Sequence, residues 1–86
     1  MEINQLIILV EKKIRDAISL ETIIIEDKSF LHKHHKGNEK NKYHIKISIK
    51  SENLKLYRKV DATKKIYKSI SSEMKNYIHS VQLLIN

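Results

Sequence analysis

The chain has 86 residues and a formal charge of +7, from 17 lysines and arginines against 10 acidic residues, with a single glycine and no cysteine. The lack of cysteine excludes disulfides, thiolate catalysis and all-cysteine zinc sites. A chain this short hides only about 60–65% of its unfolded surface, which leaves room for two or three helices on one small sheet and for no deep catalytic cavity.

One domain spanning 1–86 is therefore expected. Fifteen of the 17 cations are lysine, the less specific reader of phosphate. The charge fits a nucleic-acid or acidic-protein partner drawn in by long-range attraction, and it equally fits a solvated surface. The opening MEINQLIILVEKKIRD is apolar only as far as Val10, with neither a basic leading segment nor a small-residue cleavage site. It reads as neither a signal peptide nor a membrane span, so a cytoplasmic protein without a membrane partner is expected.

Residues 2–19 form the first predicted helix. Ile3, Leu6, Ile7, Val10, Ile14, Ala17 and Ile18 recur at spacings of three and four. Glu11 precedes Arg15 by four, the favourable orientation for a surface pair. Ile8 and Leu9 fall off the stripe, which predicts a helix covered on more than one side. Residues 21–27, ETIIIED, read as a strand, and the three consecutive isoleucines predict burial on both faces. Residues 43–50, YHIKISIK, alternate cleanly. Tyr43, Ile45, Ile47 and Ile49 are assigned to the core; His44, Lys46, Ser48 and Lys50 are assigned to a solvated face. These two strands are expected to pair antiparallel across the long connection between them.

Residues 51–53 read as a turn. From Val60 the period becomes helical again, through Thr63, Ile66, Tyr67, Ile70, Met74, Tyr77 and Ile78. Ser71 and Ser72 interrupt it, predicting two helices, 61–70 and 72–77, the second capped by one of these serines. A final strand over 79–85, HSVQLLI, completes the order helix, strand, strand, helix, helix, strand. Helices packed on one face of a three-stranded sheet make an α+β fold.

The unusual chemistry is concentrated in residues 29–37, SFLHKHHKG, which hold three of the five histidines, His32, His34 and His35, and the only glycine, Gly37. A connection this long is uncommon unless functional or disordered. The histidines suit a metal, including adventitious zinc or nickel, or simply a solvated polar loop. No nucleophile–base pair, phosphate-cradling loop or carboxylate cluster suggests an enzyme. Glu26 and Asp27 beside the histidines imitate a metal site but lack further ligands.

Asp27-Lys28-Ser29-Phe30-Leu31-His32, continued by His35 and Gly37, resembles the D-x-S-x-L-H and following H-A-G stretch of the BolA family. Tyr43-His44-Ile45 resembles that family's next strand, Ile66-Tyr67 its Val-Tyr, and Ile78-His79-Ser80-Val81 its I-H-A-L. The resemblance covers nearly the whole chain. It departs where the family has Phe-x-Gly, here Leu54-Lys55-Leu56, and where it has Arg-His-Arg, here Ala62-Thr63-Lys64.

The resemblance implies an αββααβ fold related to class II KH domains. It also implies an adaptor for a monothiol glutaredoxin that shares a bridging 2Fe–2S cluster, held with glutathione and only in the complex, for iron–sulfur handling or iron sensing. Carried over by position, the cluster ligands would be His79 and His32, with His35 as the alternative to His32. On its own residues, His79 reads equally as a histidine hydrogen-bonded at a strand start. The alternative function is DNA-binding transcriptional regulation through Lys59, Lys64, Lys65 and Lys68 on the basic helices. A KH-style backbone clamp needs a G-x-x-G loop, which one glycine cannot supply. A monomer or weak dimer is expected.

Overall fold

The computed structural model describes residues 1–29 and 42–86. The elements are α1 (Ile3–Ala17), β1 (Thr22–Asp27), β2 (Tyr43–Lys50), a 3₁₀ turn (Leu54–Leu56), α2 (Lys59–Ser69), α3 (Ser71–Asn76) and β3 (Ile78–Ile85). They form a three-stranded sheet in the order β1-β2-β3. β1 pairs antiparallel with β2, as the hairpin reading expects, and β3 lies parallel to β2 on the other side. A parallel neighbour requires a crossover connection, and α2 and α3 supply it.

α1 begins with a reciprocal cap: Glu2 Oε1 accepts from the Asn4 N–H at 3.0 Å, and the Glu2 N–H reaches Gln5 Oε1 at 3.4 Å. Two donors that the first turn leaves unpaired are thereby satisfied. Leu6, Val10 and Ile14, four residues apart, are fully buried. With Ile18 they pack on Ile23, Ile45, Ile47, Ile49, Leu54, Ala62, Ile66, Ile70 and Ile78 to make one core. The expected Glu11–Arg15 pair forms at 3.0 Å, beside a Lys12–Asp16 pair at 2.9 Å.

The turn after β2 is organised by Ser51, which is fully buried. Its hydroxyl donates to the Ser19 carbonyl at 2.7 Å and accepts from the Leu54 N–H at 3.0 Å. A buried hydroxyl with both roles filled carries no desolvation deficit. It ties the segment after α1 to the 3₁₀ turn, whose Leu54 points inward.

Four sequence expectations are corrected. The isoleucine run of β1 is not buried on both faces: Ile23 lies in the core while Ile24, next along the pleat, is 60% exposed, because the helices cover one side of the sheet. Ile8 is likewise exposed, so the cover on more than one side that its off-stripe position predicts for α1 is missing at that residue. Val60 does not continue the buried stripe of α2. Ala62 and Ile66 take the inner face and Val60 stands exposed, about 200° around the helix from Ala62. Neither Ser71 nor Ser72 caps α3, whose N-cap is Ile70 with no side-chain hydrogen bond.

Periodicity also cannot see one polar link between elements. Glu73 of α3 is buried, and its Oε2 accepts from Lys13 Nζ of α1 at 2.6 Å. Its other carboxylate oxygen is buried without a hydrogen-bond partner.

Candidate functional site

The start of β3 is set by a break in register. Tyr43 pairs with Ile78, yet His44 pairs with Ser80, so His79 is the extra residue of a β-bulge. A bulge inserts one residue and re-aims the side chains beyond it. Ile78 is in the core, and the bulge flips the pleat so that Val81, Leu83 and Ile85 also pack against it. Uninterrupted alternation from Ile78 would have sent Ser80, Gln82 and Leu84 inward. The bulge reconciles a buried Ile78 with an apolar set in the opposite phase, and it leaves His79 exposed at the sheet edge.

His44 corrects the sequence reading most sharply. Its alternation with the core isoleucines assigns it to a solvated face; it does lie on that face, but it is only 6% exposed. Its Nδ1 lies 2.5 Å from Ser80 Oγ, a hydrogen bond whose direction follows the imidazole tautomer. Its backbone N–H donates to Ser29 Oγ at 3.1 Å, and its carbonyl accepts from the Lys28 N–H at 2.7 Å. Ser29 is in turn held by its N–H on Asp27 Oδ1 at 2.9 Å, the local bond by which an Asp organises the chain two residues on. The end of β1 thus folds onto the beginning of β2 and covers His44 from that side.

From the other side comes His79. The two imidazole centroids are 4.8 Å apart with an interplanar angle of 62°, an edge-to-face arrangement within the favourable range for ring pairs. Next to them Lys28, His44, Ile45, Lys46, Ser80, Val81 and Gln82 line a cleft of about 200 Å³. Among the described residues no three His, Cys, Asp or Glu side chains converge to hold a metal ion. The described part of the site therefore offers one exposed imidazole, His79, braced by a buried one. His32, His34 and His35 lie outside the described residues.

Lys59, Lys64, Lys65 and Lys68 are all exposed on α2 or at its start. Lys65 sits over the Tyr57 ring, 5.8 Å from its centroid. α3 has six residues, its Glu73 is turned into the interior, and a single residue, Ile70, separates it from α2. That leaves a short outer surface of Ser71, Ser72, Lys75 and Asn76, poor in the arginine and paired amide donors that read base edges. The junction itself, Ser69-Ile70-Ser71-Ser72, contains no glycine and so no G-x-x-G clamp of the KH type.

The BolA-like protein family model matches residues 14–85 of the chain. The DNA-binding transcriptional regulator BolA of Haemophilus influenzae is 34% identical over 83 residues, covering 96% of this chain and 75% of that protein. Among solved structures, BolA1 from Arabidopsis thaliana superposes with a TM-score of 0.76 at 20% identity, covering 91% of this chain and 86% of that one. The BolA domain of SufE1 from the same plant gives 0.75 at 19% identity, covering 92% and 87%. At these identities the structural likeness establishes the αββααβ fold, while the family model and the bacterial relative together establish kinship. The chain belongs to the BolA-like family.

Proposed function

We propose that this protein is an adaptor that presents His79 to a 2Fe–2S cluster shared with a monothiol glutaredoxin, for iron–sulfur handling or iron sensing. The observation that carries the reading is the exposed imidazole of His79, lifted onto the sheet edge by a bulge and backed by the anchored ring of His44. Imidazole is a competent iron ligand and raises the potential of a cluster whose cysteines it replaces. A chain with no thiol holds no cluster alone. A site that is half a coordination shell fits a group whose remaining ligands come from a partner's cysteine and glutathione. When bound, the cluster would supply one-electron and iron–sulfur transfer chemistry. This chain's part is to hold an imidazole at a fixed place, with His32 or His35 as the second ligand from the connection between β1 and β2.

The test is reconstitution with a monothiol glutaredoxin, glutathione, iron and sulfide, with visible absorption and circular dichroism as the readouts. A spectrum distinct from that of glutaredoxin alone, abolished by His79→Ala, supports the reading. A spectrum identical to glutaredoxin alone removes it. His32→Ala and His35→Ala then identify the second ligand.

A second reading, DNA binding, is favoured by the function for which the Haemophilus influenzae relative is named and by the exposed lysines of α2. Each phosphate neutralised contributes about −0.9 to the slope of log K against log salt. Binding through Lys59, Lys64, Lys65 and Lys68 predicts a slope that shrinks as these residues are replaced. A flat salt dependence excludes it.

A further inference from the structure

The two edges of the sheet differ in chemistry. β1, at one edge, has six residues and is flanked or ended by Glu21, Glu26 and Asp27. β3, at the other, has eight residues, IHSVQLLI, with no charged side chain in a sequence of which 31% is charged. A row of unpaired backbone groups is a template for another strand, and edges that stay single are guarded by charge, proline or a bulge. The bulge of β3 lies at His79, and from Ser80 onward the strand has none of these guards.

The ladder fixes which backbone groups of β3 are unpaired. Asn86 donates its N–H to the Ile49 carbonyl at 2.8 Å, and its own carbonyl accepts from the Ser51 N–H at 3.2 Å. In a parallel pair, alternate residues bond to the neighbouring strand, so Ser80, Gln82 and Leu84 also turn their backbone groups towards β2. The N–H and C=O of Val81, Leu83 and Ile85 therefore point away from the sheet, and among the described residues they meet no hydrogen-bond partner. The side chains of these three residues lie on the core side and are only half-buried.

This edge is complementary to itself. With two copies of β3 set antiparallel about a two-fold axis at Leu83, Val81 opposes Ile85, Leu83 opposes Leu83, and Ile85 opposes Val81. Residues opposed in this way exchange both backbone bonds, so the three outward N–H groups and three outward carbonyls of each copy are filled at once. The opposed side chains are apolar on the core side, and Gln82 meets Leu84 on the open side, so no like charges face each other across the seam. A contact that uses the same patch on both copies closes at two.

We propose that β3 pairs with β3 of a second copy of this chain, joining two three-stranded sheets into one of six strands. The seam runs over residues 81–85 and leaves out His79. The two His79 side chains stand roughly 25 Å apart at its opposite ends, so each can be engaged while the pair is formed. Five residues a side make less than a standard interface, and each chain carries +7, so the dimer is weak and salt strengthens it by screening.

The test is sedimentation equilibrium of the full chain over a concentration series, with amide hydrogen exchange followed by NMR on the same samples. The expected result is a monomer–dimer equilibrium that salt shifts towards dimer. Protection should rise with concentration at Val81, Leu83 and Ile85 and stay constant at Gln82 and Leu84. Gln82→Lys combined with Leu84→Lys, both at exposed positions, sets like charges opposite each other across the seam and should weaken dimerisation about tenfold. Gln82→Lys combined with Leu84→Glu sets opposite charges there and should dimerise at least as well as the unaltered chain. Asn4→Lys combined with Ile8→Lys on α1 adds the same charge away from the seam and should change the affinity less than about twofold. A monomer at about 1 mM, where even a weak association shows, overturns the proposal. A dimer whose protection maps to other amides, or that the α1 pair weakens as much as the two seam lysines do, also overturns it. Equal losses in the Lys–Lys and Lys–Glu variants overturn the antiparallel pairing about Leu83.

Discussion

β3 joins two surface regions that break the ordinary rule of burial in opposite senses. At its start a polar ring, His44, is 6% exposed; beyond its end an apolar side chain, Leu56, is 83% exposed. Polar groups are normally left in water and large aliphatic ones withdrawn from it. The histidine end offsets the cost of its inversion with hydrogen bonds, from His44 to Ser80 and from backbone to Ser29 and Lys28. The leucine end has no such compensation, because apolar surface in water has no partner to gain. An inversion that is internally satisfied reads as a device for holding a group in place. One left unsatisfied adds nothing to the fold.

Substitutions that separate stability from binding sharpen this contrast. The scale is set by Ile66→Ala, which empties the centre of the core and is expected to cost about 3–4 kcal/mol in urea unfolding. A similar apolar mass at Leu56 stays in water and contributes nothing to that core. Next is the polar link between α1 and α3. Lys13→Ala strands the buried Glu73 carboxylate, and a loss of about 2–3 kcal/mol is expected from the same unfolding measurement. Glu73→Ala should cost less, since Lys13 is partly exposed and returns to water. If the two are equal, the carboxylate is not the strained partner.

At the histidine end, His44→Ala should destabilise by about 1–2 kcal/mol and shift the ring-proton NMR signals of His79, which lose a neighbouring ring at 4.8 Å. Ser80→Ala should give a smaller shift in the same signals. Unmoved His79 signals in both variants would remove the bracing role assigned to His44. The smallest expected effect is at the other end: Leu56→Ser should change stability by no more than about 0.5 kcal/mol. A loss comparable to that of Ile66→Ala would mean that Leu56 belongs to the fold, and the contrast between the two ends would collapse.

Much of the architecture is legible in the sequence because it is written in local periodicity. The steps of four through Leu6, Val10 and Ile14 and the alternation of Ile45, Ile47 and Ile49 predict elements that the structure contains, with ends shifted by one or two residues. The misreadings share a cause. The spacing of Val60 to Ile66 is tolerable for a buried stripe, but Ala62 fits closer against the sheet and rotates Val60 outward. The run through Ile24 misleads because periodicity does not tell how many layers cover a sheet. His44 escapes the pattern because alternation reports a face and not what else lies on it.

By itself the sequence determined the order of elements, the absence of thiol chemistry and the family, because each rests on residue identities and near-neighbour spacing. Tertiary structure decided the rest: the bulge that exposes His79, the ring of His44 beneath it, and the Lys13–Glu73 link across 60 residues. These depend on which segments distant in the chain meet and, for the bulge and the two histidines, on the register between β2 and β3. A slip of one residue there reverses which side chains meet, and no local pattern encodes it.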